Sequence, residues 1–247
     1  MQQEIDQLFS KIEGKPIAEA IAELTGLFPG KVAFSTSFGH EDQVISDIVF
    51  RNHLPVRVFT LDTGRMFEET YQTYYETLGK YKQLIEVYFP DKQAVEKLVT
   101  EKGPYSFYDS VANRKECCFV RKIEPLKRAL QGVSIWITGL RGGQSENRQN
   151  MHLLEWDEGN QLIKYNPLIE WSLEEVEQYI DKNRVPYNRL YNKGFKSIGC
   201  APCTRAIEPG EDLRAGRWWW ESSHKECGLH ESASSEIPVA ASSSLIK

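Results

Sequence analysis

The sequence predicts an α/β domain, a mostly parallel twisted sheet with helices on both faces, continued by a loop-rich C-terminal segment. Two observations carry that reading. Short apolar runs of strand length recur at residues 31–34, 56–60, 84–89 and 135–138. Helical periodicity follows each of the first three, and a repeating βα order builds parallel sheets whose crossover helices cover both faces. The chain has 247 residues, enough for one large core with an appended segment rather than a second full domain.

In chain order, residues 2–29 come first as one or two helices. Ile17, Ala20, Ile21 and Leu24 recur at helical spacing, and Gly26 and Pro29-Gly30 end the run. The strand at 31–34 then runs into Ser35-Thr36-Ser37-Phe38-Gly39-His40. The apolar pattern Val44, Ile45, Ile48 and Val49 opens a helix behind it. Such a loop is a natural anion cradle, because free backbone N–H groups and the positive end of the helix dipole face it. It is not a Walker A loop. The second strand leads into Leu61-Asp62-Thr63-Gly64-Arg65 and a helix at about 66–78. Ligands of parallel sheets bind beyond the carboxyl ends of the strands, so the loops at 35–42 and 62–65 are expected to share one site. Asp62 taken alone reads more readily as a cap for the next helix. A third helix is expected at 92–100.

The fourth strand ends in Gly139-Leu140-Arg141-Gly142-Gly143-Gln144-Ser145-Glu146-Asn147-Arg148, two arginines among amide and hydroxyl groups. Residues 151–156 and 162–165 flank the turn residues Asp157-Glu158-Gly159-Asn160 and read as a hairpin. The capping box Ser172-Leu173-Glu174-Glu175 opens a helix at 172–183. Beyond it periodicity is weak, and the Ser/Ala-rich residues 231–247 read as a disordered tail.

Composition narrows the function. No apolar run approaches a membrane span, and residues 1–14 are polar and acidic rather than signal-like, so a cytoplasmic location is expected, with no membrane partner. The net charge of −5 argues against nucleic acid as a partner but permits an anionic small molecule wherever cations cluster. The five cysteines fall into Cys117-Cys118, Cys200 with Cys203, and a leftover, Cys227. In the cytosol, paired cysteines serve metals or catalysis more often than disulfides. Adjacent helical ligands diverge by about 100°, which suits a bulky cluster better than one tetrahedral ion. Cys200-Ala201-Pro202-Cys203 serves zinc or iron–sulfur equally. Four cations, Arg114, Lys115, Arg121 and Lys122, enclose the Cys-Cys pair. Cys227, between Lys225 and His230, is either idle or a nucleophile.

Taken together, Ser35-Thr36-Ser37-Phe38-Gly39-His40-Glu41-Asp42, Leu61-Asp62-Thr63-Gly64-Arg65, Cys117-Cys118, Gly139-Leu140-Arg141 with Gln144-Ser145, Cys200 with Cys203, and Gly216-Arg217-Trp218-Trp219-Trp220 through Lys225-Glu226-Cys227-Gly228-Leu229-His230 resemble the assimilatory adenylyl-sulfate (adenosine 5′-phosphosulfate, APS) reductases of the phosphoadenylyl-sulfate (PAPS) reductase family. The resemblance runs over about residues 31–230 and implies an adenine nucleotide alpha hydrolase-like fold in a single reductase domain, 1–230. Within it, helices at 2–29 precede a nucleotide-binding core at about 31–200 and a catalytic segment at about 200–230.

The resemblance further implies one 4Fe-4S cluster on Cys117, Cys118, Cys200 and Cys203, and a catalytic Cys227 that is sulfonated by adenylyl sulfate, with AMP expelled. Thioredoxin or glutaredoxin would then release sulfite, a step of sulfate assimilation toward cysteine biosynthesis. Relatives with the four ligands generally prefer the unphosphorylated nucleotide; those without reduce the 3′-phosphorylated one. Cations must offset the repulsion between thiolate and sulfate, and Lys122, Arg214 and Arg217 are the first choices, with Arg141 and Arg148 next. Ser35, Ser37, Gly39, Asp62, Thr63, Gln144 and His230 complete the expected substrate contacts. Many relatives carry a second arginine where this chain has Gly142-Gly143. The alternatives are the same reaction on the 3′-phosphorylated nucleotide, an ATP-dependent sulfurtransferase, which normally shows a Ser-Gly-Gly-type loop, and a non-enzymatic metal-binding sensor.

Overall fold

The computed structural model describes residues 2–144, 148 and 150–221. Cys227, His230 and the expected tail lie outside the described residues. Helices α1 (Gln2–Ile12) and α2 (Ile17–Leu27) precede a βα series: β1 (Val32–Ser35), α3 (His40–Arg51), β2 (Arg57–Leu61), α4 (Glu68–Tyr81), β3 (Glu86–Tyr88) and α5 (Lys92–Lys102). Next come α6 (Val111–Cys118), a π-helical turn (Phe119–Ile123), α7 (Glu124–Ala129) and β4 (Ile135–Ile137), then the hairpin β5 (Leu154–Asp157) and β6 (Leu162–Tyr165), and finally α8 (Leu173–Asn183).

The six strands form one sheet in the order β3-β2-β1-β4-β6-β5. All neighbours run parallel except the β5–β6 hairpin. Alternation along each strand feeds two cores. Val32 and Phe34 of β1, with Ile135 and Ile137 of β4, join α1–α3 and α8 in one core. Ala33, Phe59 and Trp136 face the opposite side, where Leu126 and Ala129 of α7 cover them. The expected helices on both faces are therefore present. The hairpin also forms as its turn residues imply, but β6 additionally pairs with β4 in parallel, so the hairpin extends the sheet and β5 becomes its edge.

Two polar devices hold the helices. The fully buried Asp47 carboxylate on α3 accepts hydrogen bonds from Tyr81 (2.5 Å), Tyr179 (2.9 Å) and Arg51 (2.9 Å), pinning α4 and α8 to α3. Ser172 and Glu175 form both halves of the expected capping box on α8. Strand order reverses between β1 and β4, and the carboxyl ends of β2, β1 and β4 open there onto one edge, the usual place for a ligand.

Candidate active site

A cavity of about 260 Å³ opens on that edge. The loop after β1 supplies Ser35, Ser37 and Gly39, the loop after β2 supplies Thr63, and the loop after β4 supplies Arg141, Gln144 and Arg148. From further along the chain come Cys200, Arg214 and Arg217, and from the π-turn comes Lys122. Segments nearly 180 residues apart thus meet in one wall, although the chain as a whole is acidic. Lys196 is a lining cation that sequence reasoning missed; it stands in a segment with no periodicity to orient it.

The β1 loop is shaped by Asp42. Its buried carboxylate accepts from the Ser37 N–H and the Ser37 hydroxyl, each at 2.6 Å, which curls the loop over the start of α3. Burial pushes the Asp42 acid up to about 6, against the lowering effect of the Ser37 hydrogen bonds. Gly139 makes room for it: a Cβ there would lie 2.0 Å from Asp42 Oδ1. Glu41 turns to Arg141 instead, at 2.9 Å in a nearly buried ion pair. Glu41 and Asp42, the two carboxylates of the described lining, fall in the 35–42 loop expected at the site, but neither was singled out there as a contact. An acidic pair in the first turn of a helix behind an anion loop is the signal that could have raised them.

Asp62 is drawn away from the cavity. Its carboxylate accepts from the Gly64 N–H at 2.8 Å and from the Tyr71 hydroxyl at 3.0 Å, which sets the turn after β2, and it is not among the residues that line the cavity. Tyr191 closes the far side. Its ring stacks on buried His40 with centroids 3.5 Å apart, and its hydroxyl accepts from the His40 N–H at 3.2 Å. Burial holds the imidazole down at about 4, so it is neutral at ordinary pH.

The four paired cysteines gather beside the cavity. Cys117 and Cys203 are buried with Leu98, Phe107 and Trp218, and Cys118 and Cys200 pack against the same cluster. The Cys200 thiol donates to Thr63 Oγ1 at 3.3 Å, and Ala201 N–H donates to the Arg65 carbonyl at 2.8 Å. Arg121 donates to the Thr63 carbonyl at 2.6 Å, so the β2 loop borders cavity and thiols alike. Burial raises the thiols of Cys117 and Cys203, the latter to about 12, while Arg65 and Arg121 act in the opposite sense on Cys117, and Lys122 and Arg217 on Cys203. Arg65 Nη1, Arg121 Nε, Arg217 Nε and the indole N–H groups of Trp218 and Trp220 are buried donors that find no acceptor among the described residues. Among those residues no group of three or more His, Cys, Asp or Glu side chains has the spacing to hold a metal ion.

The tryptophans divide their duties as three consecutive side chains must. Trp218 is fully buried, and two guanidinium groups pack against its ring, Arg114 at 4.6 Å and Arg217 at 4.7 Å from its centre. Its φ of 41° is unusual for a bulky residue, and the pairing of residues 203–205 with 216–218 holds it there. Behind it, Arg114 forms a two-pronged ion pair with Glu221 at 2.8 and 3.0 Å, both side chains nearly inaccessible. Trp219 is the most exposed of the three.

Comparison with known proteins sharpens this picture. The phosphoadenosine phosphosulfate reductase domain matches residues 31–206. An adenosine 5′-phosphosulfate reductase of Sinorhizobium fredii is 48% identical over 245 residues, covering 98% of this chain and 97% of that protein. One of Allochromatium vinosum is 54% identical over 200 residues, 81% of this chain and 78% of that protein. Among solved structures, a phosphoadenylyl-sulfate reductase from Candida auris in complex with phosphate superposes with a TM-score of 0.71 at 28% identity, covering 84% of this chain and 98% of that one. An FMN adenylyltransferase of Candida glabrata reaches 0.50 at 15% identity, over 96% of this chain and 86% of that one, a likeness of fold alone. The sheet is that of the adenine nucleotide alpha hydrolase-like fold. No described helix is long and apolar enough to cross a membrane.

Proposed function

The chain belongs to the phosphoadenosine phosphosulfate reductase family, and on that premise we propose that it reduces adenosine 5′-phosphosulfate to sulfite and AMP in the cytoplasm, with thioredoxin as electron donor. The observation that carries the proposal is the cavity itself, an anion-binding loop and a ring of cations from four distant segments around one opening at the switch point of the sheet. The relatives at 48% and 54% identity are named for the unphosphorylated nucleotide, which favours it over the 3′-phosphorylated one.

The nucleotide would lie over the β1 loop, its phosphate toward the backbone N–H groups ahead of α3 and its sulfate toward Lys122, Arg214 and Arg217. The Cys227 thiolate would attack the sulfur, forming a sulfur–sulfur bond as the sulfur–oxygen bond breaks, and AMP leaves with the electron pair. Two unit charges of one sign repel by about 4 kcal/mol at 4 Å and an effective dielectric of 20. Fixed cations offset that, and stabilise the charge that spreads in the transition state.

Cys117, Cys118, Cys200 and Cys203 would hold a 4Fe-4S cluster. The fit rests on the all-thiol donor set and on five buried N–H groups around it that find no acceptor among the described residues, which an anionic, acceptor-rich group would satisfy. When bound, such a cluster would supply charge that orients Lys122, since Cys227 and thioredoxin already provide for both electrons. Absorbance of the anaerobically purified protein distinguishes it from zinc.

The decisive test is sulfite release from each nucleotide with thioredoxin present. Release from the unphosphorylated nucleotide at tenfold or greater kcat/KM is expected; preference for the 3′-phosphorylated one, or no sulfite from either, overturns the reading. Replacing Lys122 with Ala is expected to slow Cys227 sulfonation by about 100-fold while AMP affinity falls less than about threefold, because its charge matters most as the transition state forms. Equal losses in both would mean a plain binding role. Gly139→Ala should act the other way. Its methyl group would displace the Asp42 carboxylate and release the Ser37 turn, weakening AMP binding by about tenfold or more in a calorimetric titration.

A further inference from the structure

Resting on that function, we infer that the exposed aromatic surface formed by Tyr105, Tyr108 and Trp219 is the docking platform for the protein dithiol that reduces sulfonated Cys227. Large apolar side chains exposed elsewhere are scattered through the chain, as on any protein surface. Here they adjoin: Tyr105 is 63% exposed, Tyr108 39% and Trp219 38%. The Tyr108 ring lies 6.2 Å from that of Tyr105 and 6.4 Å from that of Trp219. Val111 and Phe119, also exposed, stand at either end of α6, the helix that follows these tyrosines.

The surface is rigid rather than loose. Tyr108 donates to the Pro202 carbonyl at 2.6 Å, inside the Cys-x-x-Cys turn, and packs edge-on against Trp220 at 4.4 Å, which in turn contacts Trp219 at 4.9 Å. Aromatic side chains already fixed in place lose little entropy on binding, which is why such clusters dominate protein interfaces. None of the three lines the nucleotide cavity.

The occupant follows from chain length and from the chemistry of the second half-reaction. Cys227 is six residues beyond Glu221, and Trp219 is two residues before it. Six residues reach at most roughly 22 Å, which tethers the sulfonated sulfur within that distance of the platform's end of the chain. The step itself needs a second protein. A thiolate of the reductant attacks the Cys227 sulfur, a mixed disulfide forms, and sulfite leaves with the electron pair of the broken sulfur–sulfur bond. The reductant's second thiol then attacks its own half of the mixed disulfide. That frees the Cys227 thiolate and leaves the reductant oxidised by two electrons, with two protons released. Both sulfurs must stay aligned through two displacements, which requires a surface that holds the partner and excludes water.

The test separates the half-reactions in the full chain. Tyr105→Ser and Trp219→Ser are each expected to raise the KM for a bacterial thioredoxin about tenfold, and to weaken its calorimetric binding to match. Cys227 sulfonation without reductant and sulfite release by dithiothreitol should stay as in wild type, as should every rate of a Tyr75→Ser control. An unchanged KM for thioredoxin overturns the platform. So does a loss confined to sulfonation, which would assign the surface to the chain's own C-terminal segment, or a loss of self-association on sedimentation, which would assign it to a second copy. A wild type that binds thioredoxin through Tyr105 yet forms no sulfite keeps the surface and removes the reaction; one that makes sulfite but binds equally well without Tyr105 does the reverse.

Discussion

Arg114→Ala is expected to destabilise the protein by about 3–5 kcal/mol, because it strands a buried carboxylate. Glu221 gives up its hydration to Arg114, which meets it with two parallel N–H groups, at 2.8 and 3.0 Å, both side chains nearly inaccessible. Removing the guanidinium also takes away one of the two cations packed against the Trp218 ring. For a chain of this length, each kcal/mol moves the melting temperature by about 2–4 °C, so a fall of roughly 6–20 °C should appear in a thermal scan. Arg114→Lys keeps the charge but loses the fork, and is expected to fall between the two. A double variant, Arg114→Met with Glu221→Leu, should recover most of the loss, since neither charge is then left buried alone. A single-variant loss below 1 kcal/mol would show that water reaches Glu221.

Cys227→Ser is expected to bring sulfite release down to background, a drop on the order of 10⁴- to 10⁶-fold, as when other covalent nucleophiles are removed. The chemistry gives two reasons. A serine hydroxyl is scarcely ionised at neutral pH without an adjacent base, so the first displacement stalls. If it did react, the product would be a sulfate ester, whose sulfur a thiol cannot release as sulfite by sulfur–sulfur exchange. The described lining of the cavity comes from other residues, so AMP affinity should hold within about threefold. Mass spectrometry of the protein after substrate alone should show an added SO₃ on wild type and none on the variant. Sulfite at more than a tenth of the wild-type rate would remove Cys227 from the mechanism.

Much of the scaffold was legible because its signals are local. The βα order, the capping box of α8 and the hairpin turn around Gly159 each depend on residues a few positions apart, and each formed. The parallel pairing of β6 with β4 was not legible, since nothing in a hairpin's own residues says which neighbour its second strand will take. The same division holds at the site. Ser35, Ser37, Gly39, Thr63, Arg141, Gln144 and Arg148 lie on loops at strand ends, and topology alone brings them to one edge. Asp62 lies on such a loop too, but the Tyr71 hydroxyl that turns its carboxylate inward is nine residues away on α4. Arg114 and Glu221 stand 107 residues apart, with no pattern to announce that they meet.

Thr63 is a single residue with two employers. Its hydroxyl accepts from the Cys200 thiol, its carbonyl accepts from Arg121, and it also lines the cavity. Alkylation or oxidation of Cys200 would therefore register as a change in the grip on substrate before any step of catalysis was attempted. The protein has no means of losing its thiol site quietly. A reagent that modifies Cys200 would thus disturb the cavity wall from the thiol side.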